Sequence, residues 1–397
     1  MSYSDFLHRL DIILDDFPSN LPDESTRKHL LERVEKLQEK LYSPVDFTMR
    51  TVFGSHRAMV LRLAVDMKLF DVIAQNGGVA TVSQLAEMTG ADEVLIARIA
   101  RFLTVMNVLT SPRKDTYEAT PLSTAFQSSS PLSAGVIHGT LFLSIMSQLP
   151  SYFSQTGYKT PSDAYNSPFQ FAFRTTDHFF TWLSQSPVYQ QAFNIVMSLD
   201  VRRKGPDWFD LFPVVSELQT ADSDPDRVLI VDIGGGQGRD LSAFRKKFPD
   251  LPGRLILQDL PSVVANLPDT LPDGIEIHKY DFFTPQPVKK AKAYFLRTVL
   301  HDWPDEQALV ILGRVREAMA WDSVLLVNEV VMDEGSLNSM AVQTDFVMMC
   351  GFAGMERTEE QFRRLLERAG FEGVRVWRDG EEGSRAVVLE GRVGGCE

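Results

Sequence analysis

The chain has 397 residues, 44% hydrophobic and 23% charged, with a formal net charge of −13 and an isoelectric point near 5.1. That length exceeds one ordinary core and predicts two or three domains, and the acidic balance argues against nucleic acid and anionic membranes as partners, because like charges repel. Two cysteines, Cys350 and Cys396, build neither a disulfide framework nor a metal motif, so no metal is expected and a reducing, cytoplasmic compartment is. The opening MSYSDFLHRLDIILDDF is acidic and lacks an apolar signal core, and no run of 18 apolar residues occurs.

Helical spacing comes first in chain order. Phe6, Leu10, Ile13 and Leu14 form one stripe, and Leu30, Leu31, Val34, Leu37 and Leu41 form a second. HRAMVLRLAVDMKLFDVIAQNGG predicts one helix stopped by Gly77 and Gly78. TVSQLAEMTG predicts a short helix with a Thr cap. DEVLIARIARFLTVMNVL predicts a helix that turns Leu95, Ile99, Leu103 and Met106 inward, and TSPRKDTYEAT a small hairpin. Helix, helix, helix and hairpin make a winged-helix pattern. DNA binding is disfavoured there, since SQLAEMTGADE carries no Lys or Arg to meet phosphates. Residues 130–215 are rich in aromatics, fit for inter-domain core or the wall of an apolar pocket. A polar stretch at 218–227 is the expected boundary before the last domain, which gives regions 1–125, 126–220 and 221–397.

From Arg227 strands and helices alternate. RVLIVDIG, RLILQDL, IEIHKYDFF, KAYFLRTVL and SVLLVNEVVM read as strands, and DLSAFRKKFP and DEQALVILGRVREAMAW as helices between them. The pattern predicts an α/β domain with a parallel sheet covered on both faces. GVRVWRDG and SRAVVLEGR read as a closing hairpin.

The first of these strands runs into VDIGGGQGRD, which sets Asp232, Gly234, Gly236 and Gly238 at a strand end. Glycines there admit a ligand close to the backbone. The spacing is G-x-G-x-G with Arg239 in place of a last glycine, and an acid stands before the turn. A carboxylate repels a diphosphate and tolerates a sulfonium and an ammonium, so S-adenosylmethionine fits better than a dinucleotide. Asp259 with Leu260, and Asp281 with Phe282 and Phe283, end the next two strands, suited to ribose hydroxyls and an adenine edge. The fourth strand gives way to His301 and Asp302 in LHDWPDE.

With VDIGGGQG, LHDWPDE, NEVVM and GMERTEEQF in this order, the sequence resembles the class I O-methyltransferases of the plant caffeate and fungal natural-product type over roughly residues 55–392. TDFVMMCGFAGMERT looks more fungal than plant. The resemblance implies a winged-helix dimerisation domain, a linking helical region, a Rossmann-like methyltransferase domain, a homodimer and S-adenosylmethionine as cofactor. It implies His301 as general base at an acceptor hydroxyl, flanked by Glu329 and Glu356. It carries Asp232, Gly234, Gly236, Asp259, Leu260, Asp281, Phe282 and Arg297 over as cofactor contacts, Arg297 standing where plant enzymes have a lysine. Met197, Met348, Met349 and Asp302 fall on the acceptor side.

The implied activity is O-methylation of a phenol or polyketide. A phenol near pKa 10 and a histidine near 6.5 leave a gap of about 4.8 kcal/mol, which carboxylates beside the imidazole narrow. The rival reading keeps fold and cofactor and replaces methyl transfer by a pericyclic reaction, cyclisation or dehydration, with the sulfonium as fixed charge. His138, in LSAGVIHGTLF, would serve that rival as a second pocket residue; a packing role is the other reading.

Overall fold

A computed structural model of the chain describes residues 2–18, 23–199, 206–218, 226–265, 267, 274–332, 339–379 and 386–394. Most of the polar stretch 218–227, and Cys396, lie outside these. The chain divides into two compact units, Met1–Val60 and Leu61–Glu397.

The first unit holds helices Tyr3–Asp15 and Glu24–Leu41 and most of Pro44–Asp66. Ser2 and Asp23 cap the first two through the backbone N–H of Asp5 and Thr26. Neither of these helices has a buried residue, and Ile13, Leu14, Leu31 and Val34 of their apolar stripes are exposed.

In the second unit the expected single helix is two. Pro44–Asp66 ends, Lys68 takes a left-handed turn at φ 53°, and Leu69–Gln75 begins. Val82–Thr89 starts on a Thr81–Gln84 capping box and ends at left-handed Gly90. Glu93–Val105, capped by Asp92, buries Ile96, Ile99, Ala100 and Leu103, while Leu95, expected inside, is exposed. Strands β1 (Val79–Thr81), β2 (Leu109–Arg113) and β3 (Thr116–Ala119) pair antiparallel in the order β1-β3-β2. Short helices follow at Pro131–Met146, Leu149–Thr156, Pro168–Phe173, Phe179–Ser184 and Pro187–Met197. All but Phe179–Ser184 carry proline in the first turn, where its missing N–H costs nothing.

The main sheet comprises β4 (Val228–Ile233), β5 (Arg254–Asp259), β6 (Ile275–Lys279), β7 (Ala293–Arg297), β8 (Val324–Val330), β9 (Glu372–Arg378) and β10 (Ala386–Arg392). Their order is β6-β5-β4-β7-β8-β10-β9. β4 to β8 are parallel, and β10 runs antiparallel between β8 and β9. Alternate residues face two cores: Tyr294, Leu296, Leu325 and Val327 meet helices Asp305–Arg316 and Glu359–Arg368 on one side, and Phe295 and Leu326 meet Trp208 and Phe244 on the other. The chain order reverses at β4, whose neighbours β5 and β7 lead away on opposite sides. Their carboxyl ends open the crevice in which an α/β sheet binds its ligands.

Candidate active site

The loop after β4 is built for close approach. Gly234, Gly236 and Gly238 have φ of 72°, 56° and 70°. A Cβ on Gly235 would lie 2.4 Å from Asp232 Oδ2 and from a Leu257 methyl, so only glycine fits. Gly234 and Gly235 donate their N–H groups to the Gln258 carbonyl at 2.8 and 3.3 Å. Asp259 holds the turn from the next strand, accepting from Gly236 N–H at 2.8 Å and from Leu260 N–H at 2.7 Å. Burial raises the Asp259 carboxyl above its usual range against those two bonds.

β6 stops at Lys279, two residues earlier than the sequence predicts, and Asp281 stands exposed in the following turn. Its Oδ1 accepts the N–H of Phe283 at 3.0 Å. Phe282 lies against the glycine loop, 4.0 Å from where a Gly234 Cβ would stand, and meets Trp303 edge-on at 5.7 Å. Arg297, at the end of β7, pairs with Asp240 at 2.6 Å.

These residues fit a sulfonium nucleoside. Asp232 lies against the glycine turn, the first helical turn beyond it carries Asp240, and each Asp259 oxygen keeps a lone pair beyond its backbone bond. Asp232 and Asp259 would hold the cationic and ribose parts.

The second half of the site begins where β7 ends. Thr298 adopts φ 47°, unusual for a β-branched residue, and Leu300–Asp302 form one 3₁₀ turn. That bend aims the N–H groups of Val299 and Leu300 at Glu329 Oε1, 3.0 and 2.8 Å away. His301 is buried. Its Nδ1 lies 3.0 Å from Glu356 Oε1, and its Nε2 lies 3.6 Å from Asp302 Oδ1. Three acids therefore surround the ring, where the resemblance implied two. Glu356 bonds the ring at Nδ1; Glu329 reaches it through its charge and through the backbone.

Burial alone would strip the proton from His301, but the charges of Asp302, Glu329 and Glu356 outweigh it and push the imidazole up to about 10. Burial, with the charges of Glu356 and Asp302, lifts Glu329 to about 7 against the pull of His301. Glu329 Oε2 and Glu356 Oε2 are buried with no hydrogen-bond partner among the described residues.

Beyond His301 lies an aromatic cluster. Phe142, Phe169, Phe179, Met348 and Phe352 form it, with Phe180, Phe193 and Met349 packed against it. His138 meets Phe142 and Phe193 edge-on at 5.5 and 5.6 Å. Met197, at the end of its helix, is 38% exposed and is not among the cluster residues.

Sequence reasoning passed over His178. It stacks on Trp303 at 4.5 Å with 10° between ring planes. Phe180 N–H donates to its Nδ1 at 3.4 Å, and its Nε2 is buried without a partner among the described residues. Burial lowers its pKa to about 4, so it is neutral. Phe282, Trp303, His178 and Phe352 thus make a continuous aromatic path from the glycine loop to the cluster.

Comparison with known proteins agrees with this layout. The profile of the O-methyltransferase domain matches residues 214–372, and that of the O-methyltransferase dimerisation domain residues 49–129. Demethylsterigmatocystin 6-O-methyltransferase of Aspergillus flavus is 33% identical over 350 residues, 88% of this chain and 89% of the relative. Among solved structures, OxaC in complex with sinefungin and meleagrin superposes with a TM-score of 0.83 at 26% identity, covering 98% of both chains. LepI in complex with SAM superposes with a TM-score of 0.82 at 28% identity, covering 99% of this chain and 100% of that one. A chain with this sheet order, this glycine loop and these relatives belongs to the O-methyltransferase family, with that family's dimerisation domain ahead of its catalytic one.

Proposed function

We propose that the protein methylates a hydroxyl of an aromatic natural product, a phenol or polyketide, with His301 as general base. The observation that carries this reading is the Nδ1–Glu356 contact at 3.0 Å beside two further acids. In this reading it fixes the ring, and Nε2, with Asp302 Oδ1 at 3.6 Å, meets the acceptor. The cofactor, S-adenosylmethionine, supplies an electrophilic methyl group on a sulfonium. Asp232, the glycine loop, Asp259, Leu260, Asp281 and Phe282 are its contacts in this reading, and Arg297 supports the loop through Asp240.

The acceptor binds against the aromatic cluster with its hydroxyl at His301. Free histidine lies about 3.5 pKa units below a phenol. With the imidazole lifted to about 10 the transfer becomes nearly even. Imidazole with phenol and imidazolium with phenolate carry the same number of protons, and both count as the reactive pair. Glu356 holds Nδ1–H, so the proton is taken at Nε2.

The relatives named O-methyltransferases favour this over the pericyclic rival; His138, packed edge-on between two rings, supports packing as well as catalysis. The regions 1–125, 126–220 and 221–397 are read as dimerising, pocket-forming and cofactor-binding. A homodimer through 1–125, in the cytoplasm, belongs to the same proposal, supported by the dimerisation profile and by the exposed apolar stripes.

The test is a mass-spectrometric screen of phenols and hydroxyanthraquinones with methyl-labelled cofactor. Label in the product supports the proposal. A transformed substrate with no label hands the site to the pericyclic reading.

A further inference from the structure

Arg357 is 0% exposed, the one arginine among the largest fully buried side chains of the described residues. Its guanidinium donates to three groups of one turn. Nη1 reaches the Leu300 carbonyl at 2.6 Å and Nη2 the Trp303 carbonyl at 2.8 Å. Nε and Nη2 reach Asp305 Oδ1 at 3.1 and 2.9 Å. Those carbonyls bracket His301 on either side. The residue before Arg357 is Glu356, the acid bonded to the His301 ring. The same loop touches the turn twice more. Met355 N–H donates to the His301 carbonyl at 3.0 Å, and a Cβ on Gly354 would lie 2.2 Å from that oxygen.

We propose that Arg357 is a positioning residue for the base. It locks the 300–303 turn to the 353–357 loop and thereby sets the His301–Glu356 contact. A guanidinium has the planar fork to serve two carbonyls and a carboxylate at once; an ammonium is a point charge on a flexible stem. The proposal rests on His301 being the base. The charged groups facing the ring are Asp302 from its own turn, Glu329 from β8 and Glu356 from the loop. Behind Glu356 stands Asp345 of helix Ser339–Phe352, which accepts the Glu356 N–H at 2.9 Å. Asp305 lies on the far side of Arg357 and is also bonded by Arg368.

Charge and position make opposite predictions. Removing a nearby positive charge, by itself, raises the pKa of His301. Loosening the ring from Glu356 lowers it. The experiment is a carbon-13 NMR titration of His301 in the full-length protein, its resonance identified by loss in His301→Gln. Wild type is compared with Arg357→Met, Arg357→Lys and Arg368→Ala, alongside calorimetry with S-adenosylhomocysteine and the methylation rate.

Both Arg357 variants are expected to bind the nucleoside within about twofold of wild type while the His301 pKa falls by about one unit. Methylation then slows by about 10²-fold, the scale of an ångström-level misplacement. Arg368→Ala, which leaves the carbonyl bonds intact, is expected to change none of the three. If Arg357→Met does not fold, Arg357→Lys decides. An unchanged or raised His301 pKa overturns the proposal, and so does loss of nucleoside binding in both variants, which marks a purely structural arginine. The titration needs no acceptor, so a protein that methylates nothing defeats the functional reading and leaves this one separately judged.

Discussion

The glycine-loop rim and the base cluster sit at the same edge of one sheet and are built on opposite terms. On the rim, bonds are short in sequence or lie between adjacent strands: Asp259 accepts from Leu260 beside it and from Gly236 on β4's loop, and Asp281 accepts from Phe283. Around His301 the bond to the ring reaches farther, to Glu356, 55 residues on, while Glu329 meets Val299 and Leu300 from the next strand. Both Asp259 oxygens are bonded, while Glu329 Oε2 and Glu356 Oε2 are buried without a partner among the described residues. The His301 cluster concentrates like charge, a strained Thr298 and two oxygens with no partner among the described residues around one imidazole, as functional sites do.

Four variants sharpen that contrast. Glu356→Gln, which keeps a bond to the ring and removes its charge, should slow methylation by about 10–100-fold. It should also move the alkaline rise of the rate to lower pH, because the acid that lifts His301 is gone. Nucleoside affinity should be unchanged; a matching loss of affinity would merge the two regions. Asp259→Ala should do the reverse, weakening S-adenosylmethionine at least about tenfold by calorimetry through lost bonds to a charged group.

Glu329→Gln tests the stored charge through stability. The Glu329 pKa is raised in the folded state, so its ionisation costs stability as pH climbs from its ordinary 4.5 through about 7. His301 is raised as well, so its contribution is complete below its ordinary 6.5 and lost as pH rises through about 10. Urea melts of Glu329→Gln should therefore gain on wild type by roughly 1–3 kcal/mol between pH 4.5 and 7. No gain would mean that Glu329 is comfortably ionised. The smallest effect belongs to His178→Phe. Phenylalanine keeps a ring on Trp303 and removes an unmatched donor, so stability should hold within about 1 kcal/mol and methylation should persist.

What the sequence revealed follows the same divide. Glycine spacing, strand hydrophobicity and helix caps are local, and they foretold β4 to β10, the loop and the helices that begin after Thr81 and Asp92. The misses are tertiary or conformational. Nothing in VDMKLF marks Lys68 as left-handed, because glycine is the usual sign. Leu95 and Ile96 fit a helical stripe equally, and packing chose Ile96. β6 stops at Lys279 because Asp281 takes a backbone N–H in its own turn. Glu329 was legible as an acid near the base, but its two bonds to the Val299–Leu300 backbone require the bend at Thr298. Arg357 was in plain view in the GMERTEEQF motif, yet a charged side chain reads as surface until burial shows otherwise.

The central claim is that His301 is the base, raised by its acids to match a phenol. Single-turnover methyl transfer, measured against pH in wild type and His301→Ala with one working acceptor, tests it most directly. The account predicts a loss of about 10²–10⁴-fold near neutral pH with nucleoside affinity intact, shrinking as the pH approaches the phenol's own pKa near 10. A variant that transfers methyl at the wild-type rate across that range contradicts it.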